Sequence, residues 1–100
     1  MSKAHLIALD EFCRSCNIEQ SFVNSLQENG LIEIVILKEI SFIELSQLNQ
    51  LEKLIGFYYE LDINLEGIET IVHLLNRMDR MQHEISDLRN RLRLFEKSET

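Results

Sequence analysis

The chain reads Asp-Ile-Asn-Leu-Glu-Gly-Ile at residues 62–68, where its longest helical pattern begins. Asn64 suits the N-cap of a helix, because its side-chain oxygen can accept a hydrogen bond from a free amide of the first turn. Ile63 and Ile68 have the spacing of a hydrophobic staple, and Glu66 places negative charge at the positive end of the helix dipole. The stretch therefore predicts one long helix over residues 64–100.

A regular apolar stripe follows along this helix. Its members alternate in steps of three and four residues, which is a heptad seam: Ile71, Leu74, Met78, Met81, Ile85, Leu88, Leu92 and Phe95. A helix that folded back on its own domain would favour a wider stripe, and an isolated one would leave the seam in water at about 0.8 kcal/mol per CH₂ group. We therefore predict that the seam from Leu74 to Phe95 packs against a second copy in a homodimer.

Shorter patterns precede the long helix. Apolar spacing predicts helices over residues 9–16 and 19–29, and Gly30 can take the left-handed conformation that ends the second one. Residues 31–43 are rich in β-branched and aromatic side chains and predict a small hairpin that turns near Lys38 and Glu39. Helical spacing returns over residues 44–61. The fold class is thus mainly α, with a helix-turn-helix head over residues 1–63.

Each short helix has an apolar face that we expect to be buried. In the first helix the face comprises Leu9, Phe12, Cys13 and Cys16, and in the second it comprises Phe22, Val23 and Leu26. The face of the third helix comprises Leu48, Leu51, Ile55 and Tyr58, widened by Leu45, Leu54, Tyr59 and Leu61.

Negative charge is concentrated in the first three-quarters of the chain. The formal net charge is −7, with twelve acidic and four basic residues up to Asn76, and five acidic and six basic residues from Arg77 onward. An acidic surface repels phosphates and favours a basic partner. We predict that the partner binds exposed carboxylates of the second and third helices, namely Glu19, Glu28, Glu52, Glu60 and Asp62.

No pattern in the sequence is typical of an enzyme or a metal site. Cys13 and Cys16 have the C-x-x-C spacing, but zinc requires two further ligands and no second pair exists. We expect both thiols to pack as small apolar groups, and we predict no catalytic residues, metal or cofactor.

The N-terminal stretch of residues 1–5 is short and polar, and no apolar run approaches the ~20 residues of a membrane span. We expect a cytoplasmic protein with reduced cysteines.

The order of these elements resembles the MerR family of winged helix-turn-helix proteins. The similarity covers most of the chain and includes Gly-Leu-Ile at residues 30–32 and the stretch at residues 62–68. A narrower resemblance is to the CbpM chaperone modulators, carried by residues 9–13, 30–33, 59–68 and 88–95. CbpM proteins have about this length and no sensor domain after the long helix.

The CbpM resemblance implies a specific function. Proteins of that family bind the J-domain of a DnaJ-like co-chaperone, CbpA, and block its stimulation of the DnaK ATPase. A J-domain presents a basic helix to DnaK, and an acidic module that covers this helix would compete, with charge pairing speeding the encounter. We therefore expect a chaperone modulator.

Two other functions stay open. A MerR-like transcription regulator would read DNA with its second helix, yet that helix has no Lys or Arg and the hairpin offers only Lys38 beside Glu39. Because phosphate contacts supply most of the affinity of such proteins, we rank nucleic-acid binding below the chaperone function and keep it as the alternative. The third possibility is a coiled-coil scaffold whose head only keeps it in solution.

The direction of the predicted dimer also stays open. Charged pairs that flank the seam, Glu84 with Arg89 and Arg91 with Glu96, would attract each other across a parallel dimer. The MerR resemblance instead implies an antiparallel pair.

Overall fold

The computed structural model describes the backbone of residues 5–99 and the side chains of residues 5–97. Residues 1–4, which belong to the polar start noted above, and Thr100 lie outside the described residues. The elements in chain order are β1 (Leu6–Ala8), α1 (Leu9–Cys16), α2 (Gln20–Glu28), β2 (Val35–Leu37), β3 (Ile40–Glu44), a 3₁₀ turn (Leu45–Gln47), α3 (Leu48–Ile55), a π-helical turn (Gly56–Glu60) and α4 (Leu65–Glu99). The predicted mainly helical fold is confirmed.

α1 and α2 form the predicted helix-turn-helix, with bounds within one residue of the prediction. The C-cap of α1 is Asn17, which has a left-handed φ of 58° that Asn tolerates better than most residues. After α2, Gly30 has a φ of 75°, and the Leu31 N–H donates to the Leu26 carbonyl at 2.9 Å. The buried side chains are Leu9 and Cys13 of α1 and Phe22, Val23 and Leu26 of α2.

The predicted burial is wrong at the ends of two helical segments. Cys16 is exposed, because it is the last residue of α1 and the chain turns at Asn17. Regular helical spacing fails on both sides of α3, where a 3₁₀ turn and a π-helical turn change the number of residues per turn. The residues of these segments that are exposed instead of buried are Leu45, Tyr58, Tyr59 and Leu61.

The predicted hairpin is confirmed, and a third strand joins it. β2 and β3 pair antiparallel around Lys38 and Glu39, and β1 pairs antiparallel with the other edge of β3. Both turn residues have positive φ, 51° and 65°, which is type I′ geometry reached without the usual Asn or Gly. The sequence does not predict β1, because three residues carry little periodic signal and its partner strand is distant along the chain.

The core is built from aliphatic side chains of the helices and of β3. Full burial of one such side chain is worth about 1.5–3 kcal/mol. Those with no measurable exposure are Leu9, Val23, Leu26, Ile43, Leu51, Leu54 and Ile68.

α4 begins at the predicted cap. The Gly67 N–H donates to Oδ1 of Asn64 at 2.8 Å, and the Ile68 N–H donates to the Asn64 carbonyl at 2.9 Å. A Cβ atom at residue 67 would lie 2.8 Å from Cγ2 of Ile63, so the first turn of α4 requires glycine there.

The chain forms two compact units, the head unit Met1–Glu69 and the tail unit Thr70–Thr100. The predicted division after residue 63 stays a prediction.

Replacing Asn64 by Ala should destabilise the protein by about 1 kcal/mol, because the Gly67 N–H loses its side-chain acceptor. Urea denaturation at a fixed protein concentration measures this change. Asn90→Ala, at an exposed interior position of α4, is the matched control and should be neutral or slightly stabilising. Equal midpoints for Asn64→Ala and the wild type would contradict the capping role.

Candidate functional site

Three aromatic rings connect α2 with the π-helical turn. Phe22 stacks on Tyr58 with ring centroids 4.3 Å apart and planes at 25°. Tyr59 meets Phe22 and Tyr58 edge-on at 5.5 and 5.0 Å, and its hydroxyl oxygen accepts a hydrogen bond from the Glu19 N–H at 3.1 Å. Each aromatic pair contributes about 0.5–1.5 kcal/mol beyond its area burial. We call Phe22, Tyr58 and Tyr59 the aromatic cluster.

The π-helical turn brings two consecutive tyrosines into this cluster. The Leu61 N–H donates to the Gly56 carbonyl at 3.1 Å, which is the five-residue spacing of a π-helix. Sequence reasoning missed the cluster, because it placed Tyr58 on the buried face of a regular third helix. The signal in the sequence was the adjacent tyrosine pair itself. Two consecutive residues cannot both lie on the narrow apolar face of an α-helix.

The five carboxylates predicted to bind a partner are all exposed, but the structure brings only some of them together. Glu19 and Asp62 line grooves that share Tyr58 as a wall. Glu60 is the last residue of the π-helical turn, next to Tyr59 in the chain. The other two lie elsewhere: Glu28 is in the last turn of α2, about 13 Å along the axis from Glu19, and Glu52 lies on α3.

The face of α2 that would read DNA is polar and acidic. Its exposed positions are Glu19, Gln20, Ser21, Asn24, Gln27 and Glu28, and Ser25 is half-buried. The hairpin that carries Lys38 also exposes Ile36, Leu37 and Ile40, at 67, 49 and 53%. Among the described residues of α2 and the hairpin, Lys38 is the one Lys or Arg side chain.

The predicted dimerisation residues of α4 are all exposed in the single chain. The exposed fractions lie between 42% at Ile85 and 63% at Met78, and the other members are Leu74, Met81, Leu88, Leu92 and Phe95. Contiguous apolar surface of this kind is typical of an interaction site.

The two cysteines differ in environment. Burial raises the pKa of the Cys13 thiol, and the neighbouring Cys16 and Asp10 raise it further, which lowers the fraction of reactive thiolate. Among the residues that the structure describes, no group of three or more His, Cys, Asp and Glu side chains could hold a metal ion. In the same part of the chain, no helix combines the length and the apolar character needed to cross a membrane.

Comparison with protein families gives a match to the MerR HTH family regulatory proteins over residues 7–90. This match includes the helix-turn-helix, the sheet and most of α4, so the chain belongs to that family. A comparison with curated proteins found no match.

His83 of α4 has a raised pKa. Its Nδ1 lies 2.8 Å from the Asp79 carbonyl oxygen and 3.7 Å from Oδ2 of Asp79. The backbone hydrogen bond raises the pKa most, followed by the Asp79 charge and, more weakly, the Asp87 charge. The protonated ring can donate its Nδ1–H to this carbonyl, which favours the charged form.

We expect the pKa of His83 to lie above 6.5 and to fall in Asp79→Asn, because the carboxylate charge is lost. Since the folded-state pKa is raised, the stabilisation is complete below the unfolded value of about 6.5 and is lost as the pH rises through the folded value. NMR titration of the imidazole protons measures the pKa of His83 in the wild type and in Asp79→Asn. Asp87→Asn is the control and should lower the pKa less. An unchanged titration in Asp79→Asn would contradict the assignment.

Proposed function

We propose that this MerR-family protein is a chaperone modulator, which binds the J-domain of a DnaJ/CbpA-like co-chaperone and inhibits its action on DnaK. The observation that carries the proposal is the acidic, cation-free face of α2. A basic helix would meet carboxylates there, whereas a DNA backbone would meet charge of its own sign. The proposed role is binding, without catalysis or a cofactor.

The aromatic cluster supports a protein partner. Tyrosine is enriched in protein–protein interfaces, because one side chain offers apolar area and a polar tip. Tyr58 and Tyr59 are 38 and 39% exposed, beside carboxylates that would pair with the partner's cations. Charge pairing of this kind mainly accelerates association and selects the partner.

Family membership favours a second candidate, a DNA-binding transcription regulator of the MerR type. The two functions make opposite demands on the exposed face of α2, because DNA binding needs cations where Glu19 and Glu28 lie. A mobility-shift assay with the protein's own promoter distinguishes them. Saturable binding that resists competitor DNA at near-physiological salt would favour the regulator over the modulator.

Calorimetric titration of the protein with a J-domain should give a one-to-one complex whose affinity falls as salt rises, since screening weakens charge pairing. Replacing Glu19, Glu28, Glu52, Glu60 and Asp62 together by Gln or Asn should weaken binding by at least about tenfold. Glu39→Gln, at the exposed hairpin tip, is the control and should bind normally. Absence of binding heat at both low and moderate salt would contradict the proposal.

We further propose that the protein is a homodimer through the seam from Leu74 to Phe95. The exposed stripe on α4 needs a cover of matching length, and a second α4 provides one. The dimer would also stabilise a small head unit, which by itself buries a limited share of its surface.

Ile85→Asp should convert the dimer to a monomer at micromolar concentration. The side chain occurs twice in a symmetric dimer, so the dissociation constant should rise on the order of a thousandfold. Sedimentation equilibrium measures the mass. Asn90→Asp, exposed on the same helix and outside the seam, is the matched control. A wild-type protein that is monomeric at all concentrations would contradict the dimer.

A further inference from the structure

We propose that the outer face of Tyr58 is a binding subsite for an arginine side chain of a basic partner, with Glu19 and Asp62 as its charge partners. The identity of that partner as a J-domain rests on the proposed function. The chemistry of the subsite itself rests on the geometry of the aromatic cluster and of the two grooves beside it.

The arrangement of the three rings leaves one face of Tyr58 without an aromatic neighbour, and the residue as a whole is 38% exposed. Phe22 covers the other face in a stack with centroids 4.3 Å apart. The remaining centroid separations, 5.0 Å from Tyr58 to Tyr59 and 5.5 Å from Phe22 to Tyr59, complete a nearly equilateral triangle. Tyr59 therefore lies beside the stack, since a ring on the outer face of Tyr58 would lie much farther from Phe22. Neither aromatic neighbour covers that outer face.

Tyr58 also lines two shallow grooves, and each groove is lined by one of the two acidic residues. A groove of about 150 Å³ is lined by Glu19, Ser21, Phe22, Ser25, Tyr58 and Leu65. A second groove of about 340 Å³ is lined by Tyr58, Tyr59, Asp62, Ile63 and Asn64. Neither of these described linings includes a Lys or Arg side chain. A cation placed on Tyr58 would therefore have an acidic residue in each adjoining groove and no Lys or Arg among the lining residues.

The flat ring of Tyr58 favours a guanidinium group over an ammonium group. A guanidinium group can lie parallel to the tyrosine ring and at the same time direct N–H groups sideways to carboxylates. An ammonium group is compact and strongly hydrated, so it gains less from the ring. The cluster is also held in place before binding, because Phe22 is buried and the Tyr59 hydroxyl is hydrogen-bonded to the Glu19 N–H. Less side-chain freedom is then lost on association.

The test uses three helical peptides that differ only in the residue presented to the protein: arginine, lysine or citrulline, the uncharged analogue of arginine. Affinity is measured by NMR titration of the full-length protein, which also reports where each peptide binds. We expect the arginine peptide to shift the signals of Glu19, Tyr58 and Asp62. It should bind about fivefold more tightly than the lysine peptide, and citrulline should bind most weakly.

Variants of Tyr58 distinguish the contribution of the aromatic ring to peptide binding from that of general apolar packing. Tyr58→Leu should weaken the arginine peptide about fivefold, whereas Tyr58→Phe, which keeps the ring, should bind within about twofold of the wild type. Thermal unfolding verifies that both variants are folded. Glu19→Gln leaves the three residues of the aromatic cluster unchanged. It should also weaken binding of the arginine peptide and reduce the salt dependence of that binding. Equal affinity for arginine and lysine or citrulline, or an unaffected Tyr58→Leu, would overturn the subsite.

The same variants distinguish failure of the subsite from failure of the proposed function. If the wild type binds a J-domain and Tyr58→Leu binds it equally well, the proposed function stands and the subsite is wrong. If no J-domain binds but the arginine peptide binds at Tyr58 as described, the subsite stands and the partner is a different basic protein.

Discussion

Packing of Phe22 between the core and the two tyrosines holds the helix-turn-helix to the segment that leads into α4. The interaction combines a stacked pair with two edge-on contacts, and the Tyr59 hydroxyl accepts the Glu19 N–H at the start of α2. It depends on the π-helical turn, because regular helix would direct Tyr58 and Tyr59 to more widely separated positions. The same packing that positions α2 thus creates the exposed aromatic surface beside it.

Charge, more than shape, is the reason that we propose a protein partner in preference to DNA. The helix-turn-helix and the hairpin have the arrangement of a winged DNA-binding domain, yet α2 is flanked by Glu19 and Glu28 and carries no cation. The hairpin presents isoleucine and leucine where such a domain needs lysine or arginine. Because nucleic-acid affinity rests on phosphate contacts, this distribution of charge supports the proposal of a basic protein partner.

The chain has two sets of apolar side chains, one buried in the head unit and one exposed along α4. Buried aliphatic side chains of the head unit form a small core, and small domains bury a limited share of their surface. The seam of α4 stays exposed over seven residues from Leu74 to Phe95, which a single chain of this length does not cover. In the homodimer that we propose, association through α4 would add to the stability of the head unit.

Several features follow from the sequence alone, because they depend on neighbours within one or two helical turns. Asn64 and the heptad spacing determine where α4 begins and which face is apolar, and Gly30 determines where α2 ends. Other features required the tertiary structure. β1 forms only because β3 offers an edge, and the left-handed Lys38 and Glu39 turn without an Asn-Gly signal.

The candidate site divides in the same way. The charge count identified the acidic residues, but it could not tell that Glu19 and Asp62 share Tyr58 as a neighbour while Glu28 and Glu52 lie elsewhere. The sequence by itself determined the helical pattern, the seam and the sign of the surface, since composition and local spacing specify them. Only the tertiary structure decided which side chains meet, because the π-helical turn and the packing of Phe22 join residues that are about forty positions apart in the chain.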